Sequence, residues 1–235
     1  MTEKVSRITL ITGANRGLGR AVALSCADRG DHIVAVGRQV GGLEELDDEV
    51  QKRGSSATLV PLDVTDRDGI NRLGQMIFER FGRIDGVFAN AAILGPLSPL
   101  SDYPADKFAN VMQVNLASIH DLYRSMHLLL KQSGRGRLVF MSSGVARHPR
   151  AYWGAYAISK AAIENYMAIA AMECAPFNIK VNAVDPGALR TRMRAQAMPG
   201  EDPLTLRTPE TIAPSICKLL GDECHQHGEV VMLRD

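Results

Sequence analysis

The chain has 235 residues, 46% of them hydrophobic and 23% charged, which suits one α/β domain with a full core. A net charge of +1 gives neither a nucleic-acid footprint nor an acidic tail. No apolar run nears the ~18 residues of a membrane span and no basic-then-apolar leader opens the chain, so no membrane partner is expected.

Ile8-Thr9-Leu10-Ile11-Thr12 is short, apolar and β-branched, and predicts the first strand. Gly13-Ala14-Asn15-Arg16-Gly17-Leu18-Gly19 follows at once, and a helical pattern through Ala21, Val22, Leu24 and Cys26 stops at Gly30. Glycines placed between a strand and a helix let the backbone turn sharply. They also let a pyrophosphate approach N–H groups at the helix N-terminus. The spacing is Gly-x-x-x-Gly-x-Gly, distinct from the better-known Gly-x-Gly-x-x-Gly fingerprint. Further strands are predicted at 33–37, 58–62, 84–88, 136–142, 178–184 and 228–232, with helices near 17–28, 42–53, 66–81, 104–132, 153–175 and 209–220. No linker or repeat interrupts them, so 1–235 reads as a single domain. The alternation predicts a doubly wound (Rossmann) parallel sheet of about seven strands with helices on both faces, and ligands at the C-terminal strand ends.

An acidic residue about 20 positions past the glycine loop ordinarily binds the adenosine ribose hydroxyl and selects NAD. Here Gly37 and Arg38 occupy that place. A guanidinium suits a 2′-phosphate instead, with Arg16 as a second cation, so NADP(H) is preferred and NAD(H) possible. The stripe Phe108, Met112, Asn115, Ile119, Leu122, Met126, Leu129 steps by four and three, and Asn115 alone in it is polar. A buried amide needs partners, which marks Asn115 either as a functional hydrogen-bonding group or as a satisfied structural one. Tyr156 and Lys160 stand four apart, on one helix face, thirteen residues after Ser143. Lysine beside tyrosine favours the phenolate, so a lowered Tyr156 pKa is expected, with the charge of a bound cofactor contributing.

Thr12-Gly13-x-x-x-Gly17-x-Gly19, Asn90-Ala91, Asn115, Ser143, Tyr156-x-x-x-Lys160 and Pro186-Gly187-x-x-x-Thr191 occur in the order and spacing of the short-chain dehydrogenase/reductase family. The chain resembles the compact single-domain branch of that family over nearly its whole length. One stretch departs: Ala89-Asn90-Ala91-Ala92 stands for the family's Asn-Asn-Ala-Gly. The resemblance implies hydride transfer between nicotinamide and a small-molecule carbonyl or alcohol. Tyr156 would be the acid/base, Ser143 would donate to the substrate oxygen, Lys160 would tune Tyr156 and bind the nicotinamide ribose, and Asn115 would support a proton relay. It also implies cofactor contacts from Gly13, Asn15, Arg16, Gly17, Leu18, Gly19, Arg38, Asp63, Val64, Asn90, Ala91, Tyr156, Lys160, Pro186, Gly187 and Thr191. Asp63 would accept from the adenine amino group, although Asp63-Val64-Thr65 also fits a helix cap. Ser142 adjoins Ser143 but in a strand faces the other way.

Residues 188–208, with Pro199-Gly200 and Pro203, form a candidate substrate lid. Around the site stand Arg147, His148, Arg150, Arg190, Arg192, Arg194 and Arg207. They fit either an anionic substrate or a solvated basic surface. A non-catalytic NADP(H)-sensing protein on the same fold is the alternative function, but it would need neither Tyr156 nor Lys160. Cys26, Cys174, Cys217 and Cys224 are scattered and read as reduced thiols of a cytoplasmic protein. Cys224-His225-Gln226-His227 lacks a partner cluster, and no metal is expected. Ala157, Ala161, Ala168, Ala171 and Ala175 permit close helix approach, either in a homodimer or homotetramer or within the chain.

Overall fold

The computed structural model describes residues 7–233. Strands β1 (Ile8–Thr12), β2 (His32–Gly37), β3 (Ser56–Pro61), β4 (Gly86–Ala89), β5 (Arg137–Met141), β6 (Lys180–Asp185) and β7 (Val230–Met232) make one parallel sheet in the order β3-β2-β1-β4-β5-β6-β7. Every predicted strand is present, with ends displaced by a residue or two. The order reverses at β1, which pairs with both β2 and β4, and the crevice for a ligand opens beyond their carboxyl ends.

Strand residues alternate between two cores. Ile11, Ala35, Phe88, Val139 and Val184 face α1 (Gly17–Asp28), α2 (Val40–Lys52) and α8 (Pro209–Leu219). Leu10, Val34, Val87, Phe140 and Ala183 face α3 (Arg67–Phe81), α5 (Ser118–Ser133) and α6 (Gly154–Cys174). Burial on both sides is why the middle strands β2, β4 and β5 are mostly apolar. None of the described helices is long and apolar enough to cross a membrane.

Two expectations need correction. The helix expected over 104–132 is three pieces: α4 (Ala105–Met112), a π-helical turn (Gln113–Ala117) and α5. The wider turn carries Asn115. In α4 the buried residue is Val111 and Met112 is half-buried, so the buried face slips by one position across the turn. The candidate lid also has structure of its own, a helix α7 (Arg192–Ala197) and a short 3-10 turn (Pro203–Thr205). Its two ends are tied together by a Leu189–Arg207 bridge, with Arg190 N–H donating to Arg207 O at 2.8 Å.

Candidate active site

The loop between β1 and α1 turns through left-handed Gly13 (φ 68°) and Gly17 (φ 54°). A Cβ on Gly19 would come within 2.3 Å of the Gly13 carbonyl, so only glycine fits there. Thr12 Oγ1 accepts from the Asn90 and Ala91 N–H groups, both at 3.0 Å, and Asn90 Nδ2 donates to Thr12 O at 2.9 Å. Asn90 and Ala91 therefore fasten the exit of β4 to that of β1, and the altered Ala89-Asn90-Ala91-Ala92 stretch keeps this clamp. Leu18 turns its side chain into the core, leaving only its backbone toward the loop.

Helix α1 has no side-chain cap and no acid in its first turn, whereas Asp66 caps α3 and Thr191 caps α7. An uncapped N-terminus at a glycine cradle suits a phosphate. Alongside, Asn15, Arg16, Arg38 and Gln39 line an open cleft of about 370 Å³. The Arg38 side chain is 66% exposed, and its ion-pair partner Asp63 lies at 3.4 Å. Asp63 itself accepts from the Thr65 N–H at 3.0 Å and the Thr65 hydroxyl at 2.8 Å. The capping role suggested for Asp63 belongs instead to Asp66, which accepts from Gly69 N–H. Val64 packs against the core. These residues fit a dinucleotide carrying a 2′-phosphate.

At the end of β5 the chain splits two serines. Ser142 donates to Glu164 Oε1 at 2.5 Å, while Ser143 lies close enough to the Tyr156 hydroxyl to lower its pKa. Tyr156 and Lys160 both lie on α6 and are buried, 9% and 1% exposed. The expected lowering of Tyr156 does not occur in this state. Burial pushes its pKa up to about 12; the Ser143 hydrogen bond opposes the rise and the Asp185 charge adds to it. Burial also brings Lys160 down to about 7. Lys160 Nζ donates to Met141 O at 2.7 Å and stands 5.6 Å from the centre of the Tyr156 ring. Desolvation is the largest cause of both shifts.

Asn115 is fully buried. Its Oδ1 accepts from Ile93 N–H at 2.8 Å, and its Nδ2 donates to Ile93 O at 2.9 Å and Ser159 Oγ at 3.0 Å. The side chain is a satisfied clamp between the segment after β4 and α6. Thr191 spends its hydroxyl as the α7 cap, accepting from Arg194 N–H at 3.2 Å. Pro186 O accepts from Arg207 at 3.1 Å, and left-handed Gly187 (φ 70°) donates its N–H to Asp185 Oδ1 at 3.1 Å.

One cluster escaped the sequence reading. Arg147, there a candidate for an anionic substrate, turns inward to bridge Glu164 and the fully buried Asp185, the latter at 2.5 Å. Ser142, Glu164, Arg147, Asp185 and Gly187 form a continuous polar chain beneath the site. The available signal was Asp185 itself, an acid closing a strand whose last five residues are buried.

Lys160 gives a stability prediction for the cofactor-free protein. Its folded pKa lies near 7 against an ordinary 10.5, so between about pH 7 and 10 the unfolded chain binds more protons. Stability contributed by this site therefore rises with pH across that window. Urea midpoints at pH 7 and 9 should rise in the parent and rise less in Lys160→Met; equal slopes would contradict the assignment.

Comparison with known proteins agrees with this construction. The model of the family described as short chain dehydrogenase matches residues 7–202. The oxidoreductase YciK of Escherichia coli K12 is 38% identical over 220 residues, 92% of this chain and 87% of its own. Versicolorin reductase stcU of Emericella nidulans is 34% identical over 80% of this chain and 70% of its own. A short chain dehydrogenase from Escherichia coli CFT073, solved in complex with NADPH, superposes with a TM-score of 0.93 at 36% identity, covering 98% of this chain and 97% of that one. A counterpart from Shigella flexneri complexed with NADP gives a TM-score of 0.94 at the same identity. From the cradle through the Tyr156 helix and into the lid, the chain belongs to the short-chain dehydrogenase family of oxidoreductases.

Proposed function

We propose that the protein interconverts a carbonyl compound and its alcohol with NADP(H), Tyr156 serving as the proton donor. The observation that carries this reading is the placing of Ser143, Tyr156 and buried Lys160 together beyond the end of β5, two strands from the glycine cradle in the same sheet. Bound NADP(H) supplies or takes up the hydride. Ser143 donates a hydrogen bond to the substrate oxygen, where charge grows in the transition state. Tyr156, protonated at neutral pH, donates its proton to the carbonyl oxygen in reduction and takes it back in the reverse reaction. Lys160, one turn along α6 from Tyr156, is held by Met141 O at the end of β5 and can exchange that partner for a ribose hydroxyl. Residues 188–208 close over the site and exclude water.

Preference for NADP(H) rests on Arg16 and Arg38 and accords with the nucleotides in the two solved relatives. Spectrophotometric kcat/KM with NADPH should exceed that with NADH, and Arg38→Ala should lower the ratio about tenfold or more, the size of one charge-assisted contact of 1.5–3 kcal/mol. A parent enzyme that prefers NADH rules the assignment out.

Assembly as a homodimer or homotetramer is also proposed. Ala157 and Ala171 are consumed within the chain's own cores, but Leu128 on α5 and Ile169 and Met172 on α6 are exposed. Light scattering should give a multiple of 25.5 kDa; a monomer mass excludes it.

A further inference from the structure

One flank of Tyr156 is walled by hydrocarbon. Leu94, Val145 and Ala197 are buried in its cluster, and Trp153, Met193 and Met198 pack against it half-buried. The Trp153 ring lies 6.1 Å from the Tyr156 ring, inclined at 62°. These groups come from separate parts of the chain: the segment after β4, the turn after Ser143, the start of α6, and the lid. The lid thus sends three apolar side chains, Met193, Ala197 and Met198, toward the catalytic centre.

The cations near the site behave differently. Arg147 is taken up by Glu164 and Asp185. Arg194 donates from Nε and Nη2 to the two carboxylate oxygens of Glu201, at 2.5 and 2.6 Å. Arg207 donates to the carbonyls of Pro186 and Leu233. His148, Arg150, Arg190 and Arg192 are exposed to solvent. Three of the arginines that suggested an anionic substrate are therefore occupied by the protein's own acids and carbonyls.

We propose that the site takes a neutral, apolar carbonyl compound, with its hydrocarbon body received by Trp153 and the lid methionines and its oxygen placed at Ser143 and Tyr156. This deepens the oxidoreductase reading and rests on it for the position of the oxygen. Methionine is unbranched and polarizable, so Met193 and Met198 can withdraw from the cluster and repack around ligands of different outline. A carboxylate on the hydrocarbon body, brought among Leu94, Val145, Met193 and Met198, would lose its hydration and meet no cation from those side chains. Each additional buried methylene should raise affinity about fourfold.

Trp153 is the chain's single tryptophan, so its emission reports on this wall alone. The experiment titrates the full chain, with saturating NADP⁺, against 2-decalone, against smaller cyclohexanones, and against a decalone bearing a carboxylate. NADPH-dependent turnover of the same compounds is recorded in parallel. The expected result is a saturable change in Trp153 emission with 2-decalone, a Kd at least tenfold below that of the carboxylated analogue, and tighter binding as the ring system grows. A Met193→Ala/Met198→Ala variant with an unchanged melting temperature should lose several-fold of the decalone affinity. Equal or tighter binding of the carboxylated compound overturns the proposal, as does the absence of a saturable change with any of the ketones. Faster reduction of the charged ketone also overturns it while leaving the oxidoreductase reading intact. Decalone binding at Trp153 without reduction supports the apolar pocket and removes the hydride-transfer reading instead.

Discussion

Turnover of a carbonyl substrate by Tyr156→Phe is expected to fall by about 10²–10⁴-fold, the usual contribution of a positioned proton donor. The substitution removes one oxygen and keeps the ring among Leu94, Val145 and Ala157, so the wall of the site stays filled. Ser143 is half-buried and its hydroxyl can turn to water, which limits the cost of the lost hydrogen bond to about 1 kcal/mol. The cradle, the uncapped α1 terminus and the Arg16–Arg38 cleft are untouched, so NADP(H) affinity should remain close to that of the parent. Fluorescence titration of NADPH together with steady-state rates separates the two effects. Substantial residual turnover, or affinity that collapses along with rate, would remove Tyr156 from the role assigned to it.

The largest stability effect is expected at Arg147. Arg147→Ala leaves Asp185, with no exposure at all, and the mostly buried Glu164 without the cation that bridges them. Breaking a buried pair by deleting one partner costs roughly 3–5 kcal/mol; because the Arg147 side chain is one-quarter exposed, the lower end, about 3 kcal/mol, is expected. For a chain of this length that corresponds to a fall in Tm of about 6–12 °C. Asp185→Asn added to the same background should restore part of the loss, since the surviving amide oxygen can still accept from Gly187 N–H. A single-variant melt within about 2 °C of the parent would show that the charges are solvated after all.

The sheet was legible because strands buried on both faces need continuous apolar, β-branched runs, and such runs are local in sequence. The motif positions were legible for a related reason: in this fold they stand at strand ends, where the chain must turn. What stayed hidden depends on contacts between distant segments. Asp185 is 38 residues from Arg147, and local pattern alone presents that arginine as a surface charge or a ligand for substrate. The π turn at Asn115 adds no residue type that breaks helical periodicity; it shifts the buried face by one position, which a long apolar stripe absorbs unnoticed. Helix α7 has only six residues, too few to show a period. Asp63 and Asp66 both suit a helix start by type, and only the hydrogen bond to Gly69 N–H distinguishes them. Spacing correctly brought Tyr156 and Lys160 onto one helix, but the direction of the tyrosine's shift depends on how dry its surroundings are, which spacing does not encode.

The joined feet of the segment between Leu189 and Arg207 have a consequence for how such a protein can change. Because the hoop is closed by its own backbone pairing, the stretch between is held at one base instead of being strung between two remote anchors. Its length and side chains can vary while the seven strands keep their register. Exchanging that single cassette, cut at its base, is the shortest route to a new substrate preference on an unaltered engine.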